Sequence, residues 1–147
     1  MYISYINSKE TKLRYVKNTH THRCVEMRIK MLKIVGFGSG AKENMTMEAA
    51  SAIASADLIV GYKTYVDILK QYFSDKEYYS TDMMQEKERC QYAIKKAEEG
   101  TEVVLVCSGD SGIYGMASLV YELAPKELEL KVISGVTAAC SGAACLG

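Results

Sequence analysis

Val103-Val104-Leu105-Val106-Cys107-Ser108-Gly109-Asp110-Ser111-Gly112-Ile113-Tyr114-Gly115-Met116 reads as a strand, a tight loop and the opening of a helix. The aliphatic run has no polar alternation, the pattern of a strand buried on both faces inside a parallel sheet. In open α/β sheets ligands bind beyond the carboxyl ends of the strands, where glycines let the backbone approach closely. The loop that follows this strand is therefore the first candidate site. It carries one carboxylate, Asp110, and one phenol, Tyr114.

The same strand, loop and helix pattern recurs on both sides of this stretch. Met31-Leu32-Lys33-Ile34-Val35 leads into Gly36-Phe37-Gly38-Ser39-Gly40, and a helix is expected over 46–56 with Thr46 as N-cap and Met47, Ala50, Ile53 and Ala54 as its apolar stripe. Leu58-Ile59-Val60 is a second strand, followed by Gly61-Tyr62-Lys63-Thr64 and a helix with Tyr65, Ile68, Leu69 and Tyr72 at core spacing. Glu77-Tyr78-Tyr79 reads as a short strand near an edge, because charges flank it. The longest helix spans about 83–99, with Met83, Cys90, Ala93, Ile94 and Ala97 inward and Gly100 as its stop. After the central stretch come a helix to Pro125, an alternating strand over 128–133, and Ser134-Gly135-Val136-Thr137-Ala138-Ala139 opening a last helix rich in alanine and glycine. Five strands alternating with five helices over 31–147 define a doubly wound α/β domain with a mainly parallel sheet.

Residues 1–30 show neither a strand nor a helix period, and are expected to form a poorly ordered extension ahead of a domain that starts at Met31. His20, His22 and Cys24 alternate, but no fourth ligand accompanies them, so solvated side chains outweigh a metal site. At the other end the chain stops on the apolar run AACSGAACLG, which raises the expectation of a further segment and of a domain cut before its partner.

Composition limits the function classes. Of 147 residues, 48% are apolar and 24% charged, ordinary for a globular domain with a real core. Lysine plus arginine equals aspartate plus glutamate at 18 each, so no global field favours nucleic acid or an anionic membrane. No apolar run approaches the ~20 residues of a membrane span, and no signal-peptide core is visible, which points to the cytoplasm. The five cysteines have no CxxC spacing, and four lie on apolar faces of expected elements, the pattern of buried reduced thiols.

The first loop is close to the dinucleotide fingerprint G-x-G-x-x-G, with Gly36 and Gly38 in place and Ala41 third. A ribose-binding acid would then belong at the carboxyl end of the second strand; Asp57 has the spacing but precedes that strand. A nicotinamide-dependent oxidoreductase is thus the weaker reading, and no P-loop motif occurs. Taken alone, SGDSG is as consistent with a capped turn as with a ligand loop.

Five motifs in order, VGFGSG with KENMTMEA, IVGYKTYV, EKERCQYAI, SGDSGIYGMASLVYE and SGVTAACSGAACLG, make residues 31–147 resemble the N-terminal half of the tetrapyrrole (corrin/porphyrin) methylases. Within that family the resemblance is to members that methylate C-17 of a precorrin-3-type macrocycle with ring contraction, in cobalamin biosynthesis. It implies a two-domain α/β fold with S-adenosylmethionine between the domains, a tetrapyrrole substrate and a homodimer, this chain supplying the first domain. It also implies cofactor contacts from Ser108, Gly109, Asp110, Ile113 and Tyr114, from Thr137 and Ala138, and from the first loop at Gly36, Gly38 and Ser39. Tyr62 stands where some relatives carry an acid/base candidate, and Lys63 beside it, like Arg89, could meet substrate carboxylates. The chain departs from the family pattern at Ser39 and Ser134, each in place of a proline, and at Ala41 in place of an aspartate. Without the second wall of the cleft, a non-catalytic fragment is the alternative.

Overall fold

The computed structural model describes the backbone of residues 3–8, 11–17 and 24–28 and the whole of residues 30–147. Near the N-terminus, strands β1 (Ile3–Ser8), β2 (Thr11–Lys17) and β3 (Cys24–Arg28) pair antiparallel in the order β1-β2-β3, where the sequence pattern suggested a poorly ordered extension. His20 and His22, considered as metal ligands with Cys24, lie outside the described residues.

From Met31 onward the elements alternate as the periodicity requires. Strand β4 (Met31–Gly36) leads through a single 3-10 turn to α1 (Met47–Ser55), β5 (Leu58–Tyr62) to α2 (Lys63–Leu69), and β6 (Glu77–Thr81) to α3 (Glu86–Glu98). Then come β7 (Val103–Cys107), α4 (Ala117–Leu123), β8 (Glu129–Ile133) and α5 (Ala138–Leu146). The five strands β4 to β8 form one sheet in the order β6-β5-β7-β4-β8, with every pairing parallel. The charged strand β6 is at an edge, as its flanking charges suggested.

Helices cover both faces. Leu32, Ile34, Leu58, Val60, Val103 and Leu105 pack on one side against Cys90, Ala93 and Ala97 of α3 and Val120 of α4. Val35, Ile59, Val104 and Val106 pack on the other against Ala49, Ala52 and Ile53 of α1 and Leu69 of α2. All five residues of β7 are buried, which is why its sequence shows no alternation. Thr46 caps α1, its hydroxyl accepting from the Ala49 amide at 3.1 Å.

Four expectations about faces need correction. Tyr72, expected at core spacing, lies past the end of α2 and is exposed. Met47 is 91% exposed; the buried stripe of α1 is Ala49, Ala52 and Ile53, which pack against Val35, Ile59, Val104 and Val106 of the sheet, so the buried face is turned from the one expected. Met83 is exposed, because α3 begins only at Glu86 and Met83 belongs to the preceding loop. Cys140 and Cys145 are exposed, since no residue of α5 is buried; only Cys90 and Cys107 are core thiols among the described cysteines.

Leu105 sits at the centre of the core with no exposed surface. Leu105→Ala is expected to cost roughly 3 kcal/mol in urea unfolding, through lost burial and the cavity left behind. A loss below about 1 kcal/mol would contradict the central placement of β7.

Candidate functional site

Adjacent strands β7 and β4 send their helices to opposite faces of the sheet, α4 to one and α1 to the other. That divergence is a topological switch point, where a crevice opens beyond the strand ends. Here the loops after β4, β7 and β8 meet with backbone against backbone. A Cβ on Gly36 would lie 2.6 Å from the Gly109 carbonyl oxygen and 2.8 Å from the Ser111 nitrogen. One on Gly135 would lie 2.1 Å from the same Gly109 oxygen and 2.5 Å from that of Gly36. The first loop is bonded to the central one, Gly38 N–H donating to Gly109 O at 3.1 Å and Gly109 N–H to Gly38 O at 2.8 Å.

Asp110 locks this junction. Its Oδ1 accepts from Gly112 N–H at 2.8 Å, closing the loop on itself, and its Oδ2 accepts from Gly135 N–H at 3.0 Å, tying in the loop after β8. Each carboxylate oxygen retains a further lone pair for a ligand donor. Beneath it the fully buried Ser111 hydroxyl shares its proton between Ile34 O at 3.3 Å and Ile133 O at 3.2 Å, fastening the loop to β4 and β8. In the middle of the loop Ile113 is 55% exposed and Tyr114 wholly so, with Tyr114 at φ 54°. A bulky residue in the left-handed region costs of order 1–3 kcal/mol and is held there by the bonds around it.

The candidates named from the sequence come to one rim. Gly36, Gly38, Gly109, Asp110 and Gly135 form the junction; Thr137 follows as the N-cap of α5, its hydroxyl accepting from Ala139 N–H, and Ala138 starts that helix. Ser39 is exposed and its hydroxyl accepts from Asn44 Nδ2 at 3.0 Å. Ser108 reaches sideways, its hydroxyl donating to the Tyr65 hydroxyl at 2.9 Å. The Tyr65 ring meets that of Tyr62 edge-on at 5.2 Å, so Tyr62 is linked to the central loop through one aromatic contact. Lys63 is exposed and lines an open groove of about 320 Å³ with Thr81, Asp82, Gln85 and Glu88. Asp57 stands at the opposite end of the sheet, its Oδ2 accepting from Glu102 N–H at 3.2 Å, so it cannot reach a ribose at this rim.

Arg89 was not recognised from the sequence as a buried group. It is 3% exposed, although the outward-looking charges around it on α3 suggested a solvated face. Ser111 was missed as well, since a serine in a glycine-rich loop carries no signal of burial. Among the described residues no cluster of three metal-ligating side chains occurs, and no helix is long and apolar enough to cross a membrane.

A parallel α/β sheet with a glycine-built junction at its switch point is the architecture of a small-molecule-binding domain. The model of the tetrapyrrole (corrin/porphyrin) methylases matches residues 31–147, and the chain belongs to that family. It is 47% identical over 120 residues to a probable cobalt-factor III C(17)-methyltransferase of Salmonella typhimurium, covering 80% of this chain and 50% of that protein. It is 36% identical over 122 residues to a precorrin-3B C(17)-methyltransferase of Sinorhizobium, covering 79% of this chain and 48% of that protein. The crystal structure of the methyltransferase CobJ matches with a TM-score of 0.72 and 34% identity, over 80% of this chain and 51% of that one. A uroporphyrin-III C-methyl transferase of Thermus thermophilus, complexed with S-adenyl homocysteine, shares the fold with a TM-score of 0.64 at 19% identity, over 77% of this chain and 51% of that one. The chain thus spans about half the length of these relatives.

Two outcomes test this geometry. Gly135→Ala is expected to lower stability by about 3 kcal/mol in urea unfolding, because the added methyl meets two backbone carbonyls that cannot move independently. Burial pushes the Cys90 thiol up to about 12 and the Cys107 thiol up to about 11. At pH 8 iodoacetamide should therefore alkylate Cys140 and Cys145 while leaving Cys90 and Cys107 unmodified until denaturant is added, read by peptide mass spectrometry.

Proposed function

We propose that this chain is the S-adenosylmethionine-binding domain of a methyltransferase acting on C-17 of a precorrin-3-type tetrapyrrole in cobalamin biosynthesis. The observation that carries the reading is the three-loop junction, which gathers Gly36–Gly38, Gly109–Asp110 and Gly135–Ala138 at the switch point of the sheet. Such a junction fits the cofactor: it presents close-packed backbone, a carboxylate with spare lone pairs, and the exposed apolar side chains of Ile113, Tyr114 and Val136. When bound, S-adenosylmethionine supplies a sulfonium methyl group to a carbon nucleophile. This transfer requires alignment more than strong acid or base.

The chain's own residues would then divide the work. Gly36, Gly38 and Ser39 shape the floor; Ser108, Gly109 and Asp110 hold the polar part of the cofactor, with Asp110 also favouring a nearby positive charge. Ile113 and Tyr114 cover its apolar part, and Thr137 and Ala138 close the side next to β8. Tyr62, on the same rim, is placed to orient the macrocycle or exchange a proton with it, and Lys63 to meet one of its peripheral carboxylates across the groove. The complete enzyme would supply the second wall of the cleft, work in the cytoplasm and pair as a homodimer.

Calorimetric titration with S-adenosylhomocysteine should show saturable binding to the chain, weakened roughly tenfold or more in Asp110→Ala. Absence of binding at millimolar ligand would leave the chain a non-catalytic fragment. Saturable NADH binding in its place would favour the oxidoreductase reading.

A further inference from the structure

Arg89 carries a guanidinium almost fully out of water, and among the described residues no carboxylate is bonded to it. Its Nε donates to Thr81 Oγ1 at 2.9 Å, its Nη2 to Asp82 O at 3.0 Å and its Nη1 to the Met116 sulfur at 3.5 Å, while its Cζ lies 5.8 Å from the Tyr62 ring centre. These partners belong to three different strand ends: Tyr62 closes β5, Thr81 closes β6 with Asp82 just after it, and Met116 ends the loop after β7. An arginine so placed costs desolvation that an apolar side chain of similar length would not, so global stability gives little reason for it. What an apolar replacement cannot do is hold three loops in register with directed donors.

We infer that Arg89 is a positioning residue, which fixes the Met116 end of the cofactor loop relative to Tyr62 and to the groove at Thr81 and Asp82. The inference rests on the methyltransferase reading for its ligand and deepens it. The central loop is pinned at its start by Asp110 and at its end by this contact, where Met116 precedes the bond from Ala117 N–H to Ser111 O at 3.2 Å. Ile113 and Tyr114 lie between the two pins. Their placement over a cofactor depends on both, and the sulfur contact, weak by itself, acts together with the stronger bonds that anchor the guanidinium.

The test compares the wild-type chain with Arg89→Met, Arg89→Lys and Met116→Leu by S-adenosylhomocysteine titration and by amide hydrogen exchange. Arg89→Met is expected to raise Kd roughly tenfold and to speed exchange at residues 111–117, with the amides of β7 unchanged. Arg89→Lys should be intermediate, since one ammonium cannot span all three partners. Met116→Leu keeps the core volume and removes only the sulfur acceptor; it should show a smaller change of the same kind, and it serves if Arg89→Met does not fold. Wild-type affinity with either uniform or unchanged exchange would overturn the inference and leave Arg89 a purely structural group. If the wild-type chain itself fails to bind, the methyltransferase reading is lost, and the exchange pattern, which needs no ligand, still decides whether Arg89 holds the loop.

Discussion

Three backbones pass within contact distance at Gly36, Gly109 and Gly135, and the upper half of the domain depends on that closeness. No side chain fits at Gly36 or Gly135, so those two glycines are required by space, whereas Gly109 has room for a Cβ and is favoured by its φ of 62°. Close approach is then made specific by one carboxylate. Asp110 accepts an amide from its own loop and another from the loop after β8, and so converts a steric coincidence into a defined register. Ser111 supports the arrangement from below, with its hydroxyl directed to carbonyls of β4 and β8.

The two ends of the sheet are built on different principles. At the amino ends of the strands Lys33 meets Glu102 at 2.6 Å, Glu102 N–H donates to Asp57, and main-chain bonds link Asp57 and Leu58 to the Glu102 carbonyl. These contacts close that end with charged side chains reaching across ordinary strand spacing. The carboxyl ends have bare backbone, one carboxylate used for structure, and exposed apolar side chains above. Such a surface satisfies its own polar groups first and leaves an outer face of apolar side chains. Tyr114 in the left-handed region fits the same division, because strain held by surrounding bonds is found where a loop is shaped for contact.

The alternation of strands and helices, the capping of α1 and the edge position of β6 could all be read from the sequence, because each follows from a local pattern. Buried strands announce themselves by unbroken aliphatic runs, and Thr46 by its place ahead of an alanine-rich helix. The faces of α1 and the first turn before α3 were read wrongly, since periodicity gives a stripe but not where the helix meets the sheet. Arg89 and Ser111 were hidden for a related reason. Each is a polar residue buried by contacts that come from 7 to 77 positions away in the chain, and no local spacing records a partner of that kind.

The departures at Ser39 and Ser134 acquire a physical meaning from the structure. Proline at either position would restrict the loop by fixing φ, and its absence enlarges the set of unfolded conformations. Here each loop is held by a bond to the start of the first helix instead. Asn44 donates its side-chain amide to the Ser39 hydroxyl, and the Thr46 hydroxyl donates to the Ser134 carbonyl at 3.2 Å. Thr46 at the same time accepts from Ala49, so one hydroxyl caps α1 and holds the turn after β8. The rigidity that a proline at either position would give through the unfolded chain is supplied here through contacts in the folded one. Those contacts all converge on the segment just before α1, which makes that segment a second place, besides the glycine junction, where the geometry of the first and last loops is coupled.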